Sequence, residues 1–353
     1  MVLLPVNMSV SFYKLILSFF TAALATFLLT PAVMLFSRKI GAMDIPDEKR
    51  RIHTSPVPRL GGIAVFGGIL LSSLIFITPT HIFLGIFIGA IIILLIGVAD
   101  DLHPLPWWIK LLAQLLAAGI AIAFGIHINV LSNPNVFSSV SHFSLGWLSV
   151  PITLLWFIGI TNSVNLIDGL DGLATGVSSI SSFTMLIVSF LIPESGNEVT
   201  IFLTVLLGSC LGFLPFNFNP AKIFLGDSGS LLLGYLLAAI SAVGMFKYHT
   251  LVSFITPLFA LAFPISDLVF SILRRLRNHQ SLVLPDRGHI HHRMLDLGLT
   301  QKQAVTFLYA VSSLLGCIAT VFTRSGIIRL IFSILSVILA IFISIKISKT
   351  KSK

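Results

Sequence analysis

The sequence predicts an all-α polytopic membrane protein of about eleven transmembrane helices, N-terminus outside and C-terminus cytoplasmic. Three observations carry this. Of its 353 residues, 56% are hydrophobic and only 10% charged, whereas a soluble domain carries roughly 25% charged residues. Apolar runs recur along the whole chain, at 15–36, 60–78, 82–99, 107–124, 149–164, 172–192, 199–215, 228–245, 251–273, 303–322 and 327–345, most of them near the roughly 20 residues that a helical span requires. Eighteen of the 22 Lys and Arg residues fall in one alternate set of loops, which the positive-inside rule assigns to the cytoplasm.

The first run, 15–36, lacks a small-residue cleavage site and reads as a retained span rather than a signal peptide. Runs two and three are separated only by Thr78-Pro79-Thr80-His81, a tight turn. Residues 1–353 read as one membrane domain, with no room for a large soluble one. Cys210 and Cys317 both lie inside apolar runs, which excludes a disulfide framework or a cysteine-rich zinc site. The net charge of +9 is accounted for by topology and does not imply nucleic acid.

The acidic residues are not governed by the positive-inside rule, yet eleven of the thirteen lie on the cytoplasmic side and only Glu194 and Glu198 face out. Carboxylates at membrane ends are costly and usually functional, so the chemistry is expected inside. Asp100-Asp101 ends the third run, where the negative end of a helix dipole disfavours carboxylates. Two acids there need a cation or hydrogen-bonding partner, and Lys110 and Gln114 share one face of the next helix.

Asn162, Asn165 and Asp168 follow helical spacing, and Gly169 and Gly172 permit close approach. The segment lacks the alternating acids and closing Glu of a calcium loop. Phe224-Leu-Gly-Asp227-Ser-Gly-Ser looks at first like a serine-protease nucleophile segment, but such an enzyme is a soluble β-barrel. Asp227 reads instead as a metal ligand, with Phe224 available to a planar ring. His289, His291, His292 and Arg293 close the set. Zinc is disfavoured there, because the flanking arginines favour phosphate over a divalent cation. The first loop, 44–62, is rich in proline and charge and reads as ordered turn structure or as a topogenic signal. Carboxylates and amides suit Mg²⁺, whereas Lys, Arg and His suit phosphate. A site with both fits a nucleotide-diphosphate substrate and an acceptor reached from the bilayer.

These motifs, NSVNLIDGLDGLATG, ADDL followed by Lys110 and Gln114, FLGDSGSL and the histidine motif, resemble those of the polyprenyl-phosphate N-acetylhexosamine-1-phosphate transferases, in order and across residues 44–296. The first loop and PDRGHIHHRMLDLGL are more similar to the undecaprenyl-phosphate N-acetylglucosamine-1-phosphate transferases that initiate teichoic acid or O-antigen. The muramoyl-pentapeptide branch shows three consecutive histidines, whereas Ile290 interrupts the run here.

The resemblance implies transfer of GlcNAc-1-phosphate from UDP-GlcNAc to undecaprenyl phosphate, releasing UMP, with Mg²⁺ or Mn²⁺ as cofactor. It implies Asn165 and Asp227 as metal ligands and Asp100, Asp101 and Lys110 as catalytic residues. Asp168 joins the substrate site, in which Gly169, Asp171 and Phe224 hold the uracil. His289, His291, His292 and Arg293 then meet the sugar phosphate. The expected location is the bacterial cytoplasmic membrane. The expected partners are both substrates and membrane lipid; a homodimer is compatible with the sequence. The rival readings are a muramoyl-pentapeptide transferase and a transporter or lipid flippase. Against the latter, transporter sites lie near the midplane on broken helices.

Overall fold

A computed structural model describes residues 11–45, 56–132, 142–191, 197–244, 257–279, 289–321 and 334. Apolar segments fold as helices because lipid offers no partner for backbone N–H and C=O groups. The described residues form α1 (Phe12–Ile40), α2 (Gly61–Phe76), α3 (His81–Leu102), α4 (Trp107–Ala123), α5 (Ser149–Ile167), α6 (Leu173–Leu191), α7 (Asn197–Asn217), α8 (Gly226–Gly244), α9 (Ala262–Arg277), α10 (Ile290–Asp296) and α11 (Gln301–Val321). At least seven of these are long and apolar enough to cross a membrane, which makes the chain an all-α polytopic membrane protein. α2 and α4 are shorter apolar helices.

Ten of the expected runs coincide with helices, α10 being a short extra one. The run 327–345 lies outside the described residues except for residue 334, and the run 251–273 appears as a helix over 262–277. The tight turn after α2 is closed by Thr80, whose hydroxyl accepts from the Phe83 N–H at 3.4 Å to cap α3. Among the described residues, two small antiparallel ribbons accompany the helices. One pairs β1 (Met43–Asp44) with β2 (Val57–Pro58), and the other pairs β3 (Val130–Ser132) with β4 (His142–Ser144).

α8 is the central element. Almost every residue from Gly226 to Gly244 is buried, and α2, α3, α5, α6 and α7 pack around it. Between apolar helices in lipid, close packing and side-chain hydrogen bonds supply the association. Trp156 of α5 donates its indole N–H to Ser241 Oγ at 3.0 Å, and Ser72 of α2 donates to the Ser18 carbonyl of α1 at 2.8 Å. Where α3 meets α8, Gly97 lies against the backbone of Ser228, so closely that a Cβ would collide with Ser228 Cα and N and with the Asp227 carbonyl. α1 packs on α2 and α7, α6 on α7 and α11, and α9 on α5.

Backbone neighbours cannot swing aside as side chains do, so Gly97→Ala should force α3 from α8 and cost about 1–3 kcal/mol. Thermal unfolding in detergent should begin several degrees lower. Gly119→Ala, where nothing lies within 4 Å, should leave the midpoint unchanged or raise it; equal losses at both positions would contradict the packing.

Candidate active site

The two consecutive acids at the end of α3 have different partners. Asp101 is buried, and its two carboxylate oxygens accept from the backbone N–H groups of Asp227 at 2.9 Å and Ser228 at 3.0 Å. These donors belong to the first turn of α8, where N–H groups lack intrahelical partners and the helix dipole favours an anion. Asp101 therefore ends one helix in order to cap another. Gly226 adopts φ +73°, and a Cβ there would strike the Asp101 carboxylate, so the approach requires glycine.

Asp100 turns the other way. Its Oδ1 accepts from the Leu105 N–H at 2.7 Å and its Oδ2 from Lys110 Nζ at 3.1 Å. Lys110 also donates to Asp227 Oδ2 at 2.9 Å, so one ammonium bridges the acids of α3 and α8. Asn165, in the last turn of α5, donates to Asp227 Oδ1 at 3.1 Å and to Ser230 Oγ at 2.9 Å. One turn earlier, Asn162 donates to Gln114 Oε1 at 2.7 Å and joins α5 to α4. The helix ends at Ile167, so Asp168 lies beyond it rather than on the face shared by Asn162 and Asn165.

A cavity of about 420 Å³ opens beside this cluster, lined by Asp44, Arg59, Asn165, Asp168, Gly169, Asp171, Phe224 and Asp227 among others. Burial raises the Asp168 carboxyl well above its usual range, and the charges of Asp227, Asp101 and Asp171 add to this while Arg59 opposes it. Asp171 Oδ2 accepts from Asn219 Nδ2 at 2.9 Å and from the Ala221 N–H at 3.0 Å, which ties the turn after α5 to the loop before α8. That loop is also paired with the first loop, through Phe224 N–H to the Pro58 carbonyl at 2.8 Å and Gly61 N–H to the Phe224 carbonyl at 3.1 Å. Sequence reasoning named neither Asp44 nor Arg59 as a site residue. They reach the cavity through the β1–β2 ribbon, and Arg59 approaches Asp44 at 3.7 Å. Residues 46–55 of that loop lie outside the described residues.

The histidine motif divides. His291 is buried against Gly169, and burial lowers its pKa to about 4, so at neutral pH it is an uncharged hydrogen-bonding group. His292 packs its ring on His291, with centroids 4.3 Å apart. Arg293, two residues on and so about 200° around a helix, does not line the Asp227 cavity. It lines a second cavity of about 480 Å³ with Arg274, Arg277 and Phe270 of α9. His289 pairs with Asp267 of α9 at 2.9 Å, a residue that sequence reasoning did not single out.

An Asp carboxylate and an Asn amide are the kind of oxygen donors that Mg²⁺ takes, with its remaining ligands from substrate and water; here Asp227 Oδ1 and Oδ2 accept from Asn165 Nδ2 and Lys110 Nζ. Among the described residues no group of three or more His, Cys, Asp or Glu gathers to enclose an ion.

Asp101→Asn retains one acceptor oxygen for two backbone donors and removes the charge at the α8 N-terminus. It should cost about 1–2 kcal/mol of stability, visible as a lower unfolding midpoint. Asp100→Asn, which keeps an oxygen for the Leu105 N–H, should lose less. Equal losses would contradict the division of labour between the two.

The family model described as Glycosyl transferase family 4 matches residues 83–245, the segment that contains Asp100, Asp101, Lys110, Asn165, Asp168, Asp171 and Asp227. The chain is 39% identical to the probable undecaprenyl-phosphate N-acetylglucosaminyl 1-phosphate transferase of Bacillus subtilis, over 94% of this chain and 91% of that protein. It is 34% identical to the decaprenyl-phosphate N-acetylglucosaminephosphotransferase of Mycobacterium tuberculosis, over 82% of this chain and 78% of that one. A phospho-N-acetylmuramoyl-pentapeptide-transferase of Staphylococcus aureus is 33% identical over 84% of this chain and 95% of its own length. Near-full-length likeness, together with a family match across the helices that build the cavity, establishes that the chain belongs to the polyprenyl-phosphate N-acetylhexosamine-1-phosphate transferase family.

Proposed function

We propose that the chain transfers GlcNAc-1-phosphate from UDP-GlcNAc to undecaprenyl phosphate, giving GlcNAc-diphosphoundecaprenol and UMP. The observation that carries the reading is Lys110 held between Asp100 and Asp227 beside a polar cavity at one end of an apolar bundle. Such an arrangement suits a reaction between two phosphate groups of which one arrives on a lipid. The eighteen-to-four distribution of basic residues supports eleven spans, an external N-terminus and a cavity facing the cytoplasm. A location in the bacterial cytoplasmic membrane follows.

In this reading a lipid phosphate oxygen attacks the β-phosphorus of UDP-GlcNAc. The bond from that phosphorus to the bridging oxygen breaks, and UMP leaves with the electron pair. The sugar C1–O bond is untouched, so anomeric configuration is retained. Catalysis of this kind is mainly positioning and charge neutralisation. Asp227 and Asn165 would hold Mg²⁺, or Mn²⁺, which supplies charge neutralisation on the diphosphate. Lys110 lies where it neutralises developing charge, and Asp100 orients it. Asp101, with both oxygens occupied by α8, serves by placing Asp227 rather than by touching the acceptor. A base is not required to activate that acceptor, because the second pKa of a phosphate monoester is about 6. Asp168, Gly169, Asp171 and Phe224 take the nucleoside, and the histidine helix meets the sugar phosphate.

Purified protein should release UMP from UDP-GlcNAc only when polyprenyl phosphate and Mg²⁺ are both present. Offered UDP-GlcNAc and the UDP-muramoyl-pentapeptide together, it should consume the first; preference for the second would move the chain to the other branch. Asp227→Ala should purify normally and lose at least about a hundredfold in rate, and Lys110→Met about ten- to a hundredfold. Near-normal turnover in the Asp227 variant at ordinary Mg²⁺ would remove it from the metal site. Reporters fused before Met8 and after Lys353 should read external and cytoplasmic respectively; the same side for both would overturn the count of spans.

A further inference from the structure

We propose that Asp267 is a positioning residue for the histidine helix, setting how α10 presents His291 to the cavity wall. Asp267 is 2% exposed and lies in α9. Its two oxygens have separate tasks. Oδ2 meets His289 Nδ1 at 2.9 Å, and Oδ1 accepts from the Ile290 N–H at 2.9 Å. The second bond satisfies a backbone donor at the start of α10, where His289, the N-cap residue, makes no side-chain cap of its own.

The first bond determines the imidazole. A carboxylate accepts only, so Nδ1 must carry a proton, and the ring is fixed in tautomer and in plane. That plane is transmitted. The His289 and His291 rings stack within 3° of parallel, with centroids 5.8 Å apart. His291 in turn is buried against Gly169, which lines the Asp227 cavity. The contacts run from Asp267 through His289 and His291 to the turn that carries Gly169 and Asp171. A buried carboxylate kept only for stability would need pairing but not this continuity with the cavity.

The inference rests on the reading of α10 as the contact to the sugar phosphate, and the test separates the two. In Asp267→Asn the amide oxygen can still accept from Ile290, but its NH₂ then faces His289 Nδ1. The ring must shift its proton to Nε2 or turn away. The expected result is a KM for UDP-GlcNAc about tenfold or more higher, with kcat changed less than threefold. Affinity for UMP, which lacks the sugar phosphate, should stay within twofold. Asp267→Asn combined with His289→Ala should be no worse than His289→Ala alone, because both act through one contact.

Wild-type KM in Asp267→Asn, losses that add in the double variant, or a parallel fall in UMP affinity would each overturn the positioning role. Should Asp267→Asn fail to purify, Asp267→Glu, which keeps the charge but displaces the carboxylate from His289 Nδ1, carries the same test: raised KM with UMP affinity retained supports the role, and unchanged KM overturns it. An unchanged KM in His291→Ala would sink the sugar-phosphate reading of α10 itself. A raised KM in His291→Ala with none in Asp267→Asn would sink only the role of Asp267.

Discussion

The Asp101 carboxylate, shared by the backbone N–H groups of Asp227 and Ser228, is the contact on which the site depends. It joins the C-terminal end of α3 to the N-terminal end of α8, and so places an anion where the dipole of one helix repels it and that of the next attracts it. With α8 buried along almost its whole length, Asp227 has little freedom left. Lys110 and Asn165 reach it from α4 and α5, and Asp100 holds Lys110 from behind. Its members come from four helices, α3, α4, α5 and α8, so the cluster exists only in the assembled bundle.

This arrangement shows how an apolar helix bundle accommodates carboxylates at its helix ends. None of Asp100, Asp101 and Asp227 is left to burial alone: each is met by an ammonium, an amide or backbone donors. Removing one partner would leave another group exposed to the desolvation cost that the pairing offsets. The polar cluster also supplies directional bonds in a bundle whose packed faces are otherwise apolar and poorly discriminating.

Much of this is legible in the sequence, and what is not has a geometric reason. Ten of the expected runs correspond to helices because hydropathy over some twenty residues is a strong signal. The need of Asp100-Asp101 for partners followed from the helix dipole. Which acid takes which partner did not, because consecutive helical residues point about 100° apart and the partners lie 126 residues away in the chain for Asp101 and 10 for Asp100. Arg293 was grouped with His291 by proximity, yet helical phase sends the two to different cavities. Asp267 sits alone in an apolar run, and its partner His289 is 22 residues on, with no spacing rule to connect them. Asp44 and Arg59 were obscured because a proline- and charge-rich loop reads equally well as a topogenic signal.

The helix α11, the last among the described residues, contributes none of the cavity carboxylates, yet it fastens the turn that carries two of them. Tyr309 donates its hydroxyl to the Gly172 carbonyl at 2.5 Å, and Gln301 Oε1 accepts at 2.6 Å from Asn219, the same amide that holds Asp171. The turn after α5 is therefore braced by residues some 130 positions further along the chain. A fragment ending before Gln301 would contain every acid of the cavity and would still lack the phenol and the amide that keep Asp168 and Asp171 facing it.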